Sequence, residues 1–141
     1  MRNIDSIVIH CSDSDWGDVT DIDKWHKERG WDGCGYHYVI TNGVTKAHAD
    51  YKAEADGLIQ NGRDVEKPGA HARGHNKYSV GICLIGKHTF TGKQMYDSLL
   101  TLVRMLMMSY SVPVEKVYGH TMLDGGKTCP NFDVTLLRAV L

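Results

Sequence analysis

Residues 79–85 read Ser79-Val80-Gly81-Ile82-Cys83-Leu84-Ile85. The run is apolar, rich in β-branched residues and free of charge. A strand covered on one face alternates apolar and polar residues, whereas one covered on both faces reads as a continuous apolar run. The stretch therefore predicts a central strand, with helices packed on both sides of its sheet.

Working outward, residues 5–10 hold Ile7-Val8-Ile9-His10 and read as a second short buried strand. Tyr36 to Thr41 is aromatic and β-branched and is followed by an Asn42-Gly43 turn signal. Asp56-Gly57 precedes a short strand at about Leu58 to Asn61, and Val114 to Tyr118 supplies another. Thr20 is expected to cap a helix through Arg29, with Ile22 and Trp25 on one face and Gly30 as its stop. Thr91-Gly92-Lys93-Gln94 reads as a capping box opening a helix to about Ser109. Met95, Leu99, Leu102, Leu106 and Tyr110 mark its core stripe. Asp133 caps a terminal helix whose apolar face includes Leu136, Leu137 and Val140. Residues 44–55 read as loop or short helix, and 62–77 as a long loop dense in Gly, His and charge. The expected fold is α/β: a mixed central sheet of about five strands flanked by helices, as one domain over residues 1–141.

Composition narrows the function. A net charge of -1 argues against nucleic acid or an acidic membrane surface as partner. The N-terminus has no extended apolar segment and so reads as lacking a signal peptide. No stretch approaches the ~18 apolar residues of a membrane span. The chain is thus expected to be made in the cytoplasm as a monomer with reduced thiols. Cys11, Cys34, Cys83 and Cys129 form no Cys-x-x-Cys pair. Cys11 and Cys83 lie in strand-like runs and read as small hydrophobes.

With eight histidines, any single one is weak evidence of a site. His26 lies among Lys24, Lys27 and Arg29 and reads as surface; His48, His75 and His88 read as solvated. His37 and Tyr36 point to opposite faces of their strand. His10 differs because it closes an apolar strand, although taken alone a satisfied core histidine is the better reading. His120 follows a strand, and Cys129 lies two residues after Lys127, whose charge favours a thiolate. Two imidazoles and a thiolate suit a tetrahedral Zn2+ with its fourth position open, the mark of a catalytic site. The spacing of His120 and Cys129 matches no zinc-finger pattern.

Six strings then occur in order: Ile7-Val8-Ile9-His10-Cys11-Ser12, Gly35-Tyr36-His37-Tyr38-Val39-Ile40, Gly69-Ala70-His71-Ala72-Arg73-Gly74-His75-Asn76, the strand at 79–86, Gly119-His120, and Lys127-Thr128-Cys129-Pro130. Together they resemble the N-acetylmuramoyl-L-alanine amidases of the peptidoglycan recognition protein superfamily, above all its small single-domain phage endolysins. The resemblance runs from Ile7 to Phe132. It implies a mixed sheet with helices packed on it and a zinc at the floor of a groove. By position, His10, His120 and Cys129 match the metal ligands, and Tyr36 and Lys127 the further catalytic positions. His71 and Asn76 fall in the loop that resembles the peptide-binding wall.

The resemblance implies hydrolysis of the amide between the lactyl group of N-acetylmuramic acid and L-alanine of the stem peptide. The metal would activate water and polarise the carbonyl. Lys127 would stabilise the oxyanion, and Tyr36 would orient water or shuttle its proton. Such an enzyme would reach the wall after release from the cytoplasm by a holin or another export route. The chain departs from some relatives. It has Cys129 where they use a carboxylate, and a thiol on the Cys83 strand where they carry a Glu. Its segment between Ile40 and Asp56 also looks longer. Two alternatives stand beside catalysis: a module that binds peptidoglycan without cutting it, and an additional role inhibiting a phage RNA polymerase. A purely structural zinc would need a fourth ligand, and Cys11 points to the opposite strand face from His10.

Overall fold

The computed structural model describes residues 2–141. Five strands form one sheet: β1 (Ser6–Cys11), β2 (Tyr38–Asn42), β3 (Asp56–Asn61), β4 (Ser79–Leu84) and β5 (Val117–Gly119). Their order is β3-β2-β4-β1-β5. β4 is the centre, as its apolar run predicts, and each of its six residues is buried. β1 and β2 flank it in parallel, β5 extends the sheet in parallel beside β1, and β3 closes the other edge antiparallel to β2. The mixed α/β sheet expected from the sequence is the one observed.

Two apolar layers cover the sheet. On one face Ile7, Ile9, Ile40, Val80, Ile82 and Leu84 pack against Leu99, Leu102, Val103 and Leu106 of the long helix. On the other, Val39, Cys83 and Ile85 pack against Ile22 of α1 (Val19–Glu28). Register places Cys83 between His10 of β1 and Val39 of β2, so His10 points to the α1 face. His10 and His26, which lies in the last turn of α1, line one cavity on that face.

The helices correct several expectations in detail. α1 is capped by Asp18 rather than Thr20. The Asp18 carboxylate accepts from the amides of Thr20 and Asp21, and Asp21 returns the bond to the Asp18 amide. A carboxylate satisfies two open amides there, whereas Thr20 is already inside the first turn. The Thr91–Gln94 box is present: Gln94 accepts from the Thr91 amide at 2.9 Å and Thr91 Oγ1 from the Gln94 amide at 3.1 Å. The following turns, Lys93–Leu99, wind as a wider π-helix before α2 (Leu100–Tyr110). Gln94 also donates to the carbonyls of Ile40 and Ile85, tying the helix start to the ends of two strands.

Val114–Lys116 forms a single 3-10 turn, so β5 is three residues long and later than expected. The short α3 (His120–Leu123) follows it directly. α4 (Val134–Arg138) is capped by Asp133 as expected. Its buried residues are Val134 and Leu137, however, while Leu136 and Val140 are exposed. A five-residue helix presents one i,i+3 pair to the core, and the residues on its other side face solvent. Among the described residues no helix is long and apolar enough to cross a membrane.

Candidate metal centre

β1 brings His10, next to its last residue, onto the α1 face of the sheet. β5 ends at Gly119, and α3 starts with His120 beside it. The chain then makes a glycine-containing loop and returns at Cys129, whose carbonyl accepts from the Thr121 amide at 2.8 Å. Asn131 fastens the far side of the loop by donating to the Lys87 carbonyl at 2.7 Å. The result brings one ligand atom from each of His10, His120 and Cys129 within 4.8 Å of the others. Among the described residues this is the one His/Cys/carboxylate cluster with that geometry, and Cys11 is not part of it.

The three residues line a cavity of about 390 Å3. Tyr36, His71 and Lys127 line it too. The Tyr36 ring lies 5.0 Å from that of His10, and Lys127 is exposed on the loop. A larger recess of about 660 Å3 lies between α1 and residues 61–68, but none of the candidate ligands lines it.

The electrostatics favour neutral ligands. Burial, followed by the charges of His71 and His120, pushes His10 well below the ordinary histidine range. Burial also lowers His120 and takes His71 down to about 3. Neutral imidazoles offer lone pairs, which a cation needs. Burial holds Tyr36 well above the usual phenol range, so it stays protonated at neutral pH. The thiol of Cys129 is raised first by its hydrogen bond with Cys11 and then by burial. This runs against the thiolate expected from Lys127; without a cation, thiol–thiol bonding and low polarity outweigh an exposed ammonium. The Cys11 amide donates to Cys129 Sγ at 2.9 Å and would support a thiolate once a cation is bound.

Two further candidates have defined partners. His71 is buried, with its ring bonded to His10 at 2.9 Å. Asn76 Oδ1 accepts from the amides of His71 and Ala72, so this side chain shapes the loop from behind. Cys83 is fully buried and its thiol is raised by burial.

The structure also adds residues that the sequence reading passed over. His26 is buried rather than at the surface: its Nδ1 accepts from the Gly35 amide at 2.8 Å, and its ring contacts those of Tyr36 and Trp31. The signal was available, since His26 stands four residues after Ile22 and so on the same helical face. His26, Arg29, Trp31 and Asn131 all line the cavity.

Comparison with known proteins identifies the family. The sequence profile of the N-acetylmuramoyl-L-alanine amidase family matches residues 1–132. The endolysin of Escherichia phage T7 is 34% identical over 144 aligned positions, covering 94% of this chain and 84% of that protein. The solved N-acetylmuramoyl-L-alanine amidase LysC of Clostridium intestinale superposes with a TM-score of 0.80 at 30% identity, over 99% of this chain and 85% of the other. Drosophila PGRP-LB superposes with a TM-score of 0.70 at 28% identity, over 92% and 76%. The chain belongs to the N-acetylmuramoyl-L-alanine amidase family. Within it, the chain is an amidase of the peptidoglycan recognition protein superfamily that resembles the phage endolysins.

Proposed function

We propose that this chain is a zinc-dependent amidase that hydrolyses the bond between the lactyl group of N-acetylmuramic acid and L-alanine in peptidoglycan, lysing a cell wall as an endolysin does. The observation that carries the metal reading is the convergence of His10, His120 and Cys129 within 4.8 Å at the floor of an open cavity. Two neutral nitrogens and one sulfur fit Zn2+ better than Mg2+ or Ca2+, which take oxygen ligands. Three protein ligands leave a position for water, as a catalytic site requires. Bound there, zinc would lower the pKa of water and polarise the scissile carbonyl.

The remaining roles fall to the chain's own groups. Lys127, exposed on the loop that carries Cys129, meets the negative charge developing on the carbonyl oxygen. Tyr36 stays a phenol beside His10 and orients the attacking water as a hydrogen-bonding partner. His71 and Asn76 belong to the wall of the substrate groove. His71 lines the cavity, and Asn76 acts through the backbone it holds. The buried thiol of Cys83 stays protonated, which leaves general acid–base work to other groups.

The deciding experiment is release of new L-alanine amino termini from purified peptidoglycan, before chelation, after it, and after zinc is returned. Release that stops with chelator and recovers with zinc is the expected result. No release from an intact, zinc-loaded chain overturns the reading in favour of a binding module.

A further inference from the structure

We infer that His71 is a positioning residue for the metal centre, which selects the nitrogen His10 offers through a directed chain of hydrogen bonds ending on a backbone carbonyl. The inference rests on the zinc reading above only for its consequence; the chain itself is a property of the protein.

The direction is fixed from the far end. The carbonyl of His75 can only accept, and Ser79 Oγ lies 2.7 Å from it, so the single hydroxyl proton of Ser79 points there. Ser79 Oγ is then an acceptor toward His71 Nε2 at 3.3 Å, and the His71 proton must be on Nε2. A neutral imidazole with its proton on Nε2 has a bare Nδ1. That Nδ1 lies 2.9 Å from His10 Nε2, which must donate to it. His10 is left with its proton on Nε2 and its lone pair on Nδ1. Of its two nitrogens, Nδ1 is therefore the one free for a cation.

Packing keeps His71 in place. A Cβ at Gly81 would lie 2.6 Å from His71 Cδ2 and Cγ and 2.8 Å from Nε2. A Cβ at Gly69 would collide with His71 Cδ2. Two glycines, one on the central strand and one in the loop, thus leave the ring its slot. Asn76 adds to this by binding the His71 amide at 3.0 Å. A metal-bound histidine commonly has its other nitrogen held by a carboxylate or carbonyl. Here a second histidine and a serine intervene, and the carbonyl of His75 acts at a distance.

The test has two arms. Long-range 1H–15N spectra of the zinc-free protein read the tautomers directly. The expected result is a proton on Nε2 of both His10 and His71; a proton on Nδ1 of either ring overturns the chain. The second arm measures zinc affinity by chelator competition in His71→Leu, which has no acceptor, and in His71→Asn, whose Oδ1 replaces Nδ1. His71→Leu should lose about 10–100-fold in zinc affinity, with His71→Asn recovering most of it. Equal affinities in Leu, Asn and wild type overturn the role. If His71→Leu does not fold, Ser79→Ala serves. It should leave His71 in mixed tautomers, and an unchanged single Nε2–H form overturns the serine's part. A wild-type chain that takes up no zinc overturns the proposed function instead, and the zinc-free tautomers still decide this inference.

Discussion

The ring of His71 occupies the space that a side chain on Gly81 would need: a Cβ there would meet three of its atoms at 2.6 to 2.8 Å. Gly81 is an interior residue of the central strand, where glycine ordinarily weakens a sheet. Its presence is explained by what lies on it. Gly81→Ala must push an imidazole that is bonded on both sides, and overpacking of this kind costs about 1–3 kcal/mol. Urea unfolding should show that loss. Zinc competition on the folded fraction should show weaker binding, because His10 loses its partner. A variant as stable as the wild type would mean that the ring moves aside freely.

Cys129→Ser tests the ligand set. A hydroxyl is a poor ligand for zinc beside two imidazoles, and the Cys11 amide would lose its sulfur acceptor. The loss of affinity should exceed the about 10–100-fold that removal of an outer-shell partner costs, and amidase activity should fall with it. The checks are zinc stoichiometry after gel filtration and the amino-terminus assay. Full zinc occupancy in Cys129→Ser would remove the cysteine from the site.

Lys127→Ala separates binding from rate. Lys127 is exposed and takes part in no ion pair among the described residues, so the fold should not notice its loss. Zinc content should stay at the wild-type level while the rate drops by about 10²–10³-fold, the usual effect of removing an oxyanion donor. Stopped-time release of L-alanine termini, normalised to bound zinc, reads the effect. An unchanged rate would return Lys127 to the status of a solvated loop charge.

What the sequence made legible follows physical range. The continuous apolar run at 79–85 depends only on whether both faces are covered, and it identified the central strand. The Thr91–Gln94 box is local, and it too was readable. Asp18 and Thr20 are both competent caps in the sequence, and which one wins depends on where the turn begins. The charged neighbours of His26 suggest solvent, although its spacing from Ile22 points inward. Leu136 and Val140 read as core in the sequence and are exposed in the fold, because apolar residues in a short helix look alike until a neighbour chooses one side. His10, His120 and Cys129 were picked out in the sequence, but only the structure brings residues 10 and 129 together. The bond from His10 to His71 spans 61 positions, and no local pattern carries it.

Buried neutral histidines also make stability depend on pH, and the sign can be worked out. An unfolded histidine titrates near 6.5, whereas burial lowers His37 to about 4 and His71 to about 3 in the folded chain. Between those values the unfolded state binds protons that the folded state does not, so stability falls as pH falls. It is fully present above about 6.5 and declines below it, until the folded rings themselves protonate near 4 and 3. Each ring contributes a slope of at most about 1.4 kcal/mol per pH unit, or about 2 kcal/mol by pH 5. His10 acts in the same direction. The three ion pairs among the described residues are at the surface and contribute little over this interval. The zinc-free protein should therefore lose several kcal/mol between pH 7.5 and 5, read from urea midpoints at constant ionic strength. Bound zinc should deepen the decline, because protons then compete with the metal for the same nitrogens. A urea midpoint that does not move over this range would mean that the buried rings take up protons in the folded chain as readily as in the unfolded one.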